Sequence, residues 1–147
     1  MKIYPDSCIY GRPNDNQTQA DIEAETLAIS VIFDVCRIAG HIFIGSTHVK
    51  DEIMANSNAT ARDAARDLFE DIVLHCADLT AADIMRAQVF MAQGLGKGDS
   101  LHLAAAEAAD ADVLLTVDKD FERIAANNKL SKVRVLNPLK VIREIIT

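Results

Sequence analysis

Four acidic side chains stand where predicted strands end or helices begin, at positions that one edge of a sheet would bring together. Asp6 closes the first strand-like segment, and Asp118 closes the most hydrophobic run of the chain, residues 113–117. Glu52 lies on a helix directly after the second strand, and Asp99 begins an alanine-rich helix. Because ligands bind outside the carboxyl ends of strands in open α/β sheets, this placement predicts a shared site.

Carboxylates crowded into a small space repel one another, which protonates some of them or destabilises the fold. A hard divalent cation removes this repulsion, and Mg²⁺ and Mn²⁺ prefer oxygen ligands. Such a site hydrolyses phosphodiester bonds by activating a bound water and stabilising charge on the phosphate. Taken singly, each acid is more often structural, as a turn former, a helix cap or an exposed helix residue. The joint placement of all four favours the metal site.

Strand-like and helix-like patterns alternate along the chain. The strands are expected at residues 2–6, 41–45, 72–76, 113–117 and 133–136. The clearest helix runs from about Gln19 to Ala39, where polar residues recur every three or four positions. Others are expected at 47–54, after a capping box that begins at Thr80, and at 100–111. This alternation predicts a three-layer α/β/α sandwich with a mainly parallel five-stranded sheet.

Three features near the four acids are predicted to be structural or supporting rather than catalytic. Residues 94–99 are expected to form a flexible loop that presents Asp99. They do not match a phosphate-binding loop, because Gly98 follows Lys97 where such a loop needs Ser or Thr. His102 is interpreted as a structural residue that points away from Asp99. His48 and Glu52 lie four residues apart on one helix face, which suits a transition metal. Since no HExxH partner accompanies them, a surface or supporting role is favoured.

Length and composition set the class of protein. A chain of 147 residues, half of them hydrophobic, predicts a single domain over residues 1–147 and excludes a mostly disordered chain. No segment approaches the roughly 18 consecutive apolar residues of a membrane helix, and no signal peptide opens the chain. The expected location is therefore the cytoplasm. Three widely spaced cysteines without a CxxC pair predict neither a zinc knuckle nor a redox motif.

The charge balance restricts how nucleic acid could be bound. Twenty-two acidic residues against 15 basic ones give a net charge of −7. A protein that grips nucleic acid through a broad basic face has the opposite balance. Divalent cations in a carboxylate cluster would neutralise part of this negative charge.

At its acidic residues the sequence resembles the PIN-domain ribonucleases, including VapC-type toxins of toxin–antitoxin pairs. The resemblance extends over essentially the whole chain and rests on four segments: Ile3-Tyr4-Pro5-Asp6-Ser7, Val49-Lys50-Asp51-Glu52-Ile53, residues 98–106 and residues 114–121. The last two segments are the most specific. Pro5 departs from the family, which usually has an aliphatic residue there, and it removes a backbone donor beside the site.

The resemblance implies a metal-dependent endoribonuclease whose sheet has the strand order 3-2-1-4-5. Asp6, Asp99 and Asp118 would bind Mg²⁺ or Mn²⁺, directly or through water. Glu52 would complete the catalytic cluster and orient the nucleophilic water. Supporting roles would fall to three further residues, Ser7, Thr116 and Asp120. The last of these fits a helix cap as well.

Few basic residues are placed to meet an RNA backbone. The candidates are Arg12, Lys97, Lys119 and Arg123. Arg12 lies in a loop that resembles a variant found in part of the family, and contact with an RNA phosphate and a surface salt bridge fit it about equally. This sparse basic surface predicts modest, salt-sensitive binding or a substrate limited to a particular folded RNA.

The resemblance also implies a homodimer and, if the chain is a toxin, a small antitoxin that holds it inactive. A different class of function is a non-catalytic RNA-binding or protein-interaction module that retained the fold. Loss of an acid would favour that alternative, yet all four are present. A third interpretation is a metal-dependent phosphatase of small molecules. A covalent phosphatase needs a second Asp two residues after the first, where Cys8 stands.

Overall fold

The structure, a computed structural model, describes residues 1–146, with side chains described for residues 1–144. Five parallel strands form one sheet in the order β3-β2-β1-β4-β5. The strands are β1 (Lys2–Pro5), β2 (Ile42–Ser46), β3 (Val73–Ala77), β4 (Val113–Leu115) and β5 (Arg134–Leu136). The expected α/β class and strand order are thereby confirmed.

Helices connect the strands, as parallel pairing requires. They are α1 (Ser7–Gly11), α2 (Ala20–Ile38), α3 (Thr47–Met54), α4 (Ala59–Ile72), α5 (Ala81–Ala92), α6 (Lys97–Ala108), α7 (Lys119–Asn128) and α8 (Pro138–Val141), with a 3₁₀ turn at Arg12–Asn14 and a π-helical turn at Ile142–Ile146. Helices α1, α3 and α4 contact one another, α5 packs on α6, and α2 contacts α8. Among the described residues, no helix has the length and apolarity needed to cross a membrane.

Most elements follow the sequence prediction closely. Helix α3 has the expected bounds, and α2 lies within one residue of them at each end. The capping box is also confirmed, because the Thr80 hydroxyl accepts from the Asp83 amide and the Asp83 carboxylate accepts from the Thr80 amide. Strand β4 is two residues shorter than expected.

The loop expected at residues 94–99 is wrong in its second half. Helix α6 begins at Lys97 with Gly96 as its N-cap, so Asp99 lies in the first helical turn. An acidic side chain is favourable in that turn because it complements the helix dipole. Gly98 lies close to Glu52, since a Cβ at this position would be 3.3 Å from the Glu52 Oε2 atom.

The core lies between the sheet and the helices. Its largest fully buried side chains come from several elements: Tyr4, Tyr10, Phe43, Phe90 and Phe121. Gly45 of β2 is the point of closest approach between the sheet and α4. A Cβ atom at Gly45 would lie 2.7 Å from Phe69 Cε2, which is shorter than any ordinary carbon contact.

We expect Gly45→Ala to lower the free energy of unfolding by about 1–3 kcal/mol, because the added methyl group overpacks the contact with Phe69. Gly11→Ala is the matched control. Gly11 has a helical backbone and no atom within 4 Å of the added carbon, so that change should be neutral or slightly stabilising. Urea denaturation of both variants measures the difference. Equal stabilities would contradict the packing argument.

Candidate active site

Asp6 is fixed at the carboxyl edge of the sheet. It directly follows β1, and its amide donates to the Leu115 carbonyl of β4 at 3.0 Å. The side chain is only 3% exposed, and the Cys8 thiol donates to its Oδ1 at 2.6 Å. Burial raises the pKa of Asp6, while His102, Cys8 and Thr116 oppose this rise. Cys8 therefore contacts a candidate catalytic group.

Glu52 is held by side chains from two other elements. Its Oε1 atom accepts from the Ser7 hydroxyl of α1 at 2.9 Å and from His102 Nε2 of α6. Burial raises the pKa of Glu52, but the interactions with His102, Ser7 and His48 outweigh it and bring the pKa down to about 2. Glu52 is therefore ionised at neutral pH, and its orientation is set by these donors.

The expectation that His102 points away from Asp99 is wrong, whereas its burial agrees with a structural role. His102 lies three residues after Asp99 on α6, and that spacing places both on one helix face. Its ring is 2% exposed, with Nε2 against Glu52 and Nδ1 3.0 Å from the Tyr4 hydroxyl. The Tyr4 hydroxyl lies 2.7 Å from the Ser46 hydroxyl. The i, i+3 spacing was the signal in the sequence that could have placed His102 on the same helix face as Asp99.

Ser46, Tyr4, His102 and Glu52 form a chain of hydrogen bonds, here called the buried chain. Its proton positions follow from which atoms can only accept. Ser46 Oγ accepts from the Val49 amide at 3.3 Å, so its own hydrogen is available to Tyr4. Tyr4 then donates to His102 Nδ1, and His102 Nε2 donates to the ionised carboxylate of Glu52. Four buried or partly buried polar groups thus satisfy one another.

Asp99 is the carboxylate most affected by its neighbours. Burial raises the pKa of Asp99 to about 6, the charges of Asp118, Asp6 and Glu52 add to that rise, and His102 opposes it. Among the described residues, no hydrogen-bond donor reaches the Asp99 side chain. The four acids that the sequence placed at one edge therefore interact electrostatically through Asp99.

Asp118 combines two positions in the fold. As the N-cap of α7, its Oδ1 atom accepts from the amides of Asp120 at 2.9 Å and Phe121 at 3.2 Å. Its own amide donates to the Thr116 hydroxyl at 3.1 Å. Capping leaves further lone pairs of the carboxylate available for another ligand.

Of the three residues expected to support the four acids, two lie in the site and one lies on the surface. Ser7 and Thr116 lie within the site, through their contacts with Glu52 and Asp118. The side chain of Asp120 is 81% exposed and pairs with Arg123 at 3.1 Å, which resembles an ordinary surface pair.

Two of the basic residues predicted to bind RNA are exposed near the site, whereas Arg12 is paired with acidic residues. Lys97 and Lys119 are exposed at the first turns of α6 and α7, beside Asp99 and Asp118. The guanidinium of Arg12 is instead 3.0 Å from Asp15 and 3.4 Å from the buried carboxylate of Glu25. Of the two roles open for Arg12, the structure thus shows a salt bridge.

The tightest group of metal-ligand atoms among the described residues includes two histidines. Ligand atoms of His48, Glu52 and His102 all lie within 4.8 Å of one another. His48 Nε2 is 3.6 Å from Glu52 Oε1 and 3.2 Å from the Gly98 carbonyl. Burial and the nearby His102 lower the pKa of His48, which favours the neutral ring. Glu52 therefore stands between the carboxylates and two nitrogen donors.

A match to the PIN domain extends over residues 6–127, which contain the four acids together with His48 and His102. The chain belongs to the PIN-domain family. Among solved structures, this PIN-domain chain is similar to a chain of VapBC2 from Rickettsia felis, crystallised bound to a DNA fragment from the promoter. The two are 18% identical with a TM-score of 0.54, over 93% of this chain and 98% of that one, a likeness that concerns the fold. A search of curated proteins finds no match.

Removal of the Tyr4 hydroxyl should test the buried chain of this PIN domain. We expect Tyr4→Phe to lower the free energy of unfolding by about 1–3 kcal/mol, because Ser46 and His102 each lose a buried partner. Tyr10→Phe is the matched control, since the Tyr10 hydroxyl is buried and makes no hydrogen bond to any described residue. That variant should be neutral or stabilising. Equal losses of stability in urea denaturation would contradict the assigned chain.

Proposed function

We propose that the chain is a metal-dependent endoribonuclease that hydrolyses RNA phosphodiester bonds at its four-carboxylate edge. The observation that carries this proposal is the mutual electrostatic influence of Asp6, Glu52, Asp99 and Asp118 in a chain of the PIN-domain family. These residues come from β1, α3, α6 and the start of α7, so the fold is needed to bring them together.

The donor set fits a hard divalent cation. Asp6 and Asp99 have raised pKa values because burial and neighbouring negative charges disfavour their ionised forms. The Asp99 carboxylate has no hydrogen-bond donor among the described residues, so its oxygens are available to an ion. Mg²⁺ or Mn²⁺ bound by Asp6, Asp99 and Asp118 would lower the pKa of a bound water and stabilise phosphate charge.

Other residues of the site would orient the attacking water and hold the Asp6 carboxylate in place. Glu52, ionised and fixed by Ser7 and His102, accepts a hydrogen from the attacking water and sets its direction. Cys8 and Thr116 interact with the Asp6 carboxylate and hold its orientation. The positions and charges of the Glu52 and Asp6 carboxylates are therefore set before substrate binds. Such preorganisation lowers the barrier to phosphodiester hydrolysis.

The biological setting we propose is a toxin–antitoxin pair. Support comes from the similarity in fold to a chain of VapBC2, a complex described together with its promoter DNA. In this proposal the chain is a single cytoplasmic domain, forms a homodimer and is held inactive by a small antitoxin protein.

Cleavage of labelled RNAs, tRNAs included, tests the nuclease directly. The protein is stripped of metal, and Mg²⁺ or Mn²⁺ is then restored. Asp6→Asn and Asp99→Asn should each reduce metal-dependent cleavage by about 10²-fold or more, because each removes a charge that holds the cation. Asp112→Asn is the matched control. Asp112 precedes β4 at the opposite edge of the sheet and accepts from the Lys2 amide, which an Asn oxygen can also do.

The outcomes of this assay separate the alternatives. Cutting that survives in both site variants would come from a contaminant and leave the site without support. Calorimetric Mn²⁺ binding that disappears in the variants, without any cutting, would mean the correct metal site with another substrate. Absence of both cutting and Mn²⁺ binding would favour a non-catalytic module.

Lys97 and Lys119 are the cations we propose to contact the RNA backbone. Lys97→Ala and Lys119→Ala should each weaken RNA binding and reduce the salt dependence of the binding constant by about one phosphate contact. Fluorescence anisotropy with the Asp99→Asn protein measures binding without cleavage. Lys132→Ala is the control, because Lys132 pairs with Asp110 at the opposite edge of the sheet. An unchanged salt slope in both site variants would exclude this RNA path.

A further inference from the structure

We propose that His48, Glu52 and His102 form a site for a transition-metal ion such as Zn²⁺, separate from the oxygen-only cluster although it shares Glu52. Two imidazole nitrogens and one carboxylate are a common donor set for Zn²⁺, with the fourth position left to water. Nitrogen ligands favour Zn²⁺, Co²⁺ or Ni²⁺, whereas Mg²⁺ prefers oxygen. The donor types therefore distinguish this site from the one proposed for RNA cleavage.

The distances suit an ion after a small opening of the cluster. The ligand atoms lie within 4.8 Å of one another, and His48 Nε2 is 3.6 Å from Glu52 Oε1. Tetrahedral ligands at about 2.0–2.2 Å from Zn²⁺ lie roughly 3.3–3.6 Å apart, so this pair already has the required separation. His102 Nε2 contacts Glu52 directly, and the ion would replace the proton that they share.

His102 has the hydrogen-bond support that metal-binding histidines usually have. Such a ring generally holds its second nitrogen against an oxygen acceptor, which fixes its orientation. Here Nδ1 lies 3.0 Å from the buried Tyr4 hydroxyl, which in turn contacts Ser46. A hydroxyl can donate or accept. Tyr4 can therefore accept from Nδ1–H when the ion occupies Nε2, and can then donate to Ser46 Oγ.

His48 supplies the second nitrogen from the same helix as Glu52. Their i, i+4 spacing on α3 places both side chains on one face. His48 Nε2 lies 3.2 Å from the Gly98 carbonyl and would exchange that partner for the ion. The side chain of His48 is 15% exposed and that of Glu52 is 37% exposed, so solvent can reach the remaining coordination position.

Occupancy of this site would withdraw Glu52 from the carboxylate cluster. Zn²⁺ would then compete with cleavage, a consequence that rests on the proposed function. Binding of the ion itself does not rest on it, because the three ligands and their spacing are independent of any substrate.

Metal binding to the chelator-treated full chain tests the site. With excess Mg²⁺ present to occupy the oxygen cluster, titration with ZnCl₂ by calorimetry, and with CoCl₂ by visible absorption, should give one ion per chain at this site, and the Co²⁺ spectrum should be that of a four-coordinate site. His48→Gln and His102→Gln should each weaken Zn²⁺ binding at least about 10-fold, because each removes a ligand. Asp118→Asn should retain binding, since Asp118 belongs to the oxygen cluster alone. Cys76→Ser should also retain it, although Cys76 is an exposed thiol.

Circular dichroism identifies any variant that fails to fold. If His102→Gln is unfolded, the less buried His48→Gln decides the result. Absence of Zn²⁺ binding to the unaltered chain, or unchanged affinity in a folded His48→Gln variant, would overturn the proposal. Loss of binding in Asp118→Asn or Cys76→Ser would overturn it as well, by assigning the ion elsewhere. RNA cleavage in Mg²⁺ alone is measured separately, so failure of the zinc site and failure of the nuclease remain distinguishable.

Discussion

Repulsion among negative charges at the carboxyl edge of the sheet is the constraint on which the site depends. Parallel strands deliver their C-terminal ends to the same edge, so acids that follow different strands meet there. Hydrogen-bond donors offset this repulsion at three of the acids. The Cys8 thiol donates to Asp6, and two amides of α7 donate to Asp118. Ser7 and His102 donate to Glu52. Asp99 lacks such a donor among the described residues, and burial together with the neighbouring negative charges raises its pKa to about 6.

The buried chain from Ser46 through Tyr4 to His102 connects this edge to the core. Tyr4 lies in β1 with its ring among apolar side chains, and its hydroxyl reaches residues of β2 and α6. Packing of the ring therefore fixes His102, and His102 fixes the Glu52 carboxylate. A polar chain in which every member is paired costs little in a low-dielectric interior, whereas a broken one leaves unsatisfied groups.

Local sequence predicted the elements well, because the alternation of hydrophobic runs and caps is a local property. The strand ends at Asp6 and Asp118 were predictable for the same reason. The contact of His102 with Glu52 joins helices 50 residues apart and depends on how α6 lies against α3. Likewise, the start of α6 at Lys97 was missed because glycines usually indicate a loop. Only the folded chain shows that Gly98 lies close to Glu52.

Glu52 illustrates how one carboxylate can belong to two chemical environments. Toward Asp99 and Asp6 it adds negative charge to a group of oxygen donors, and toward His48 and His102 it faces nitrogen donors. Its low pKa of about 2 means that this charge persists at neutral pH, and the side chain is open enough to solvent to change partners. If the two proposed metal sites are correct, the balance between its donors, rather than the number of acids alone, would determine which ion this edge of the sheet binds.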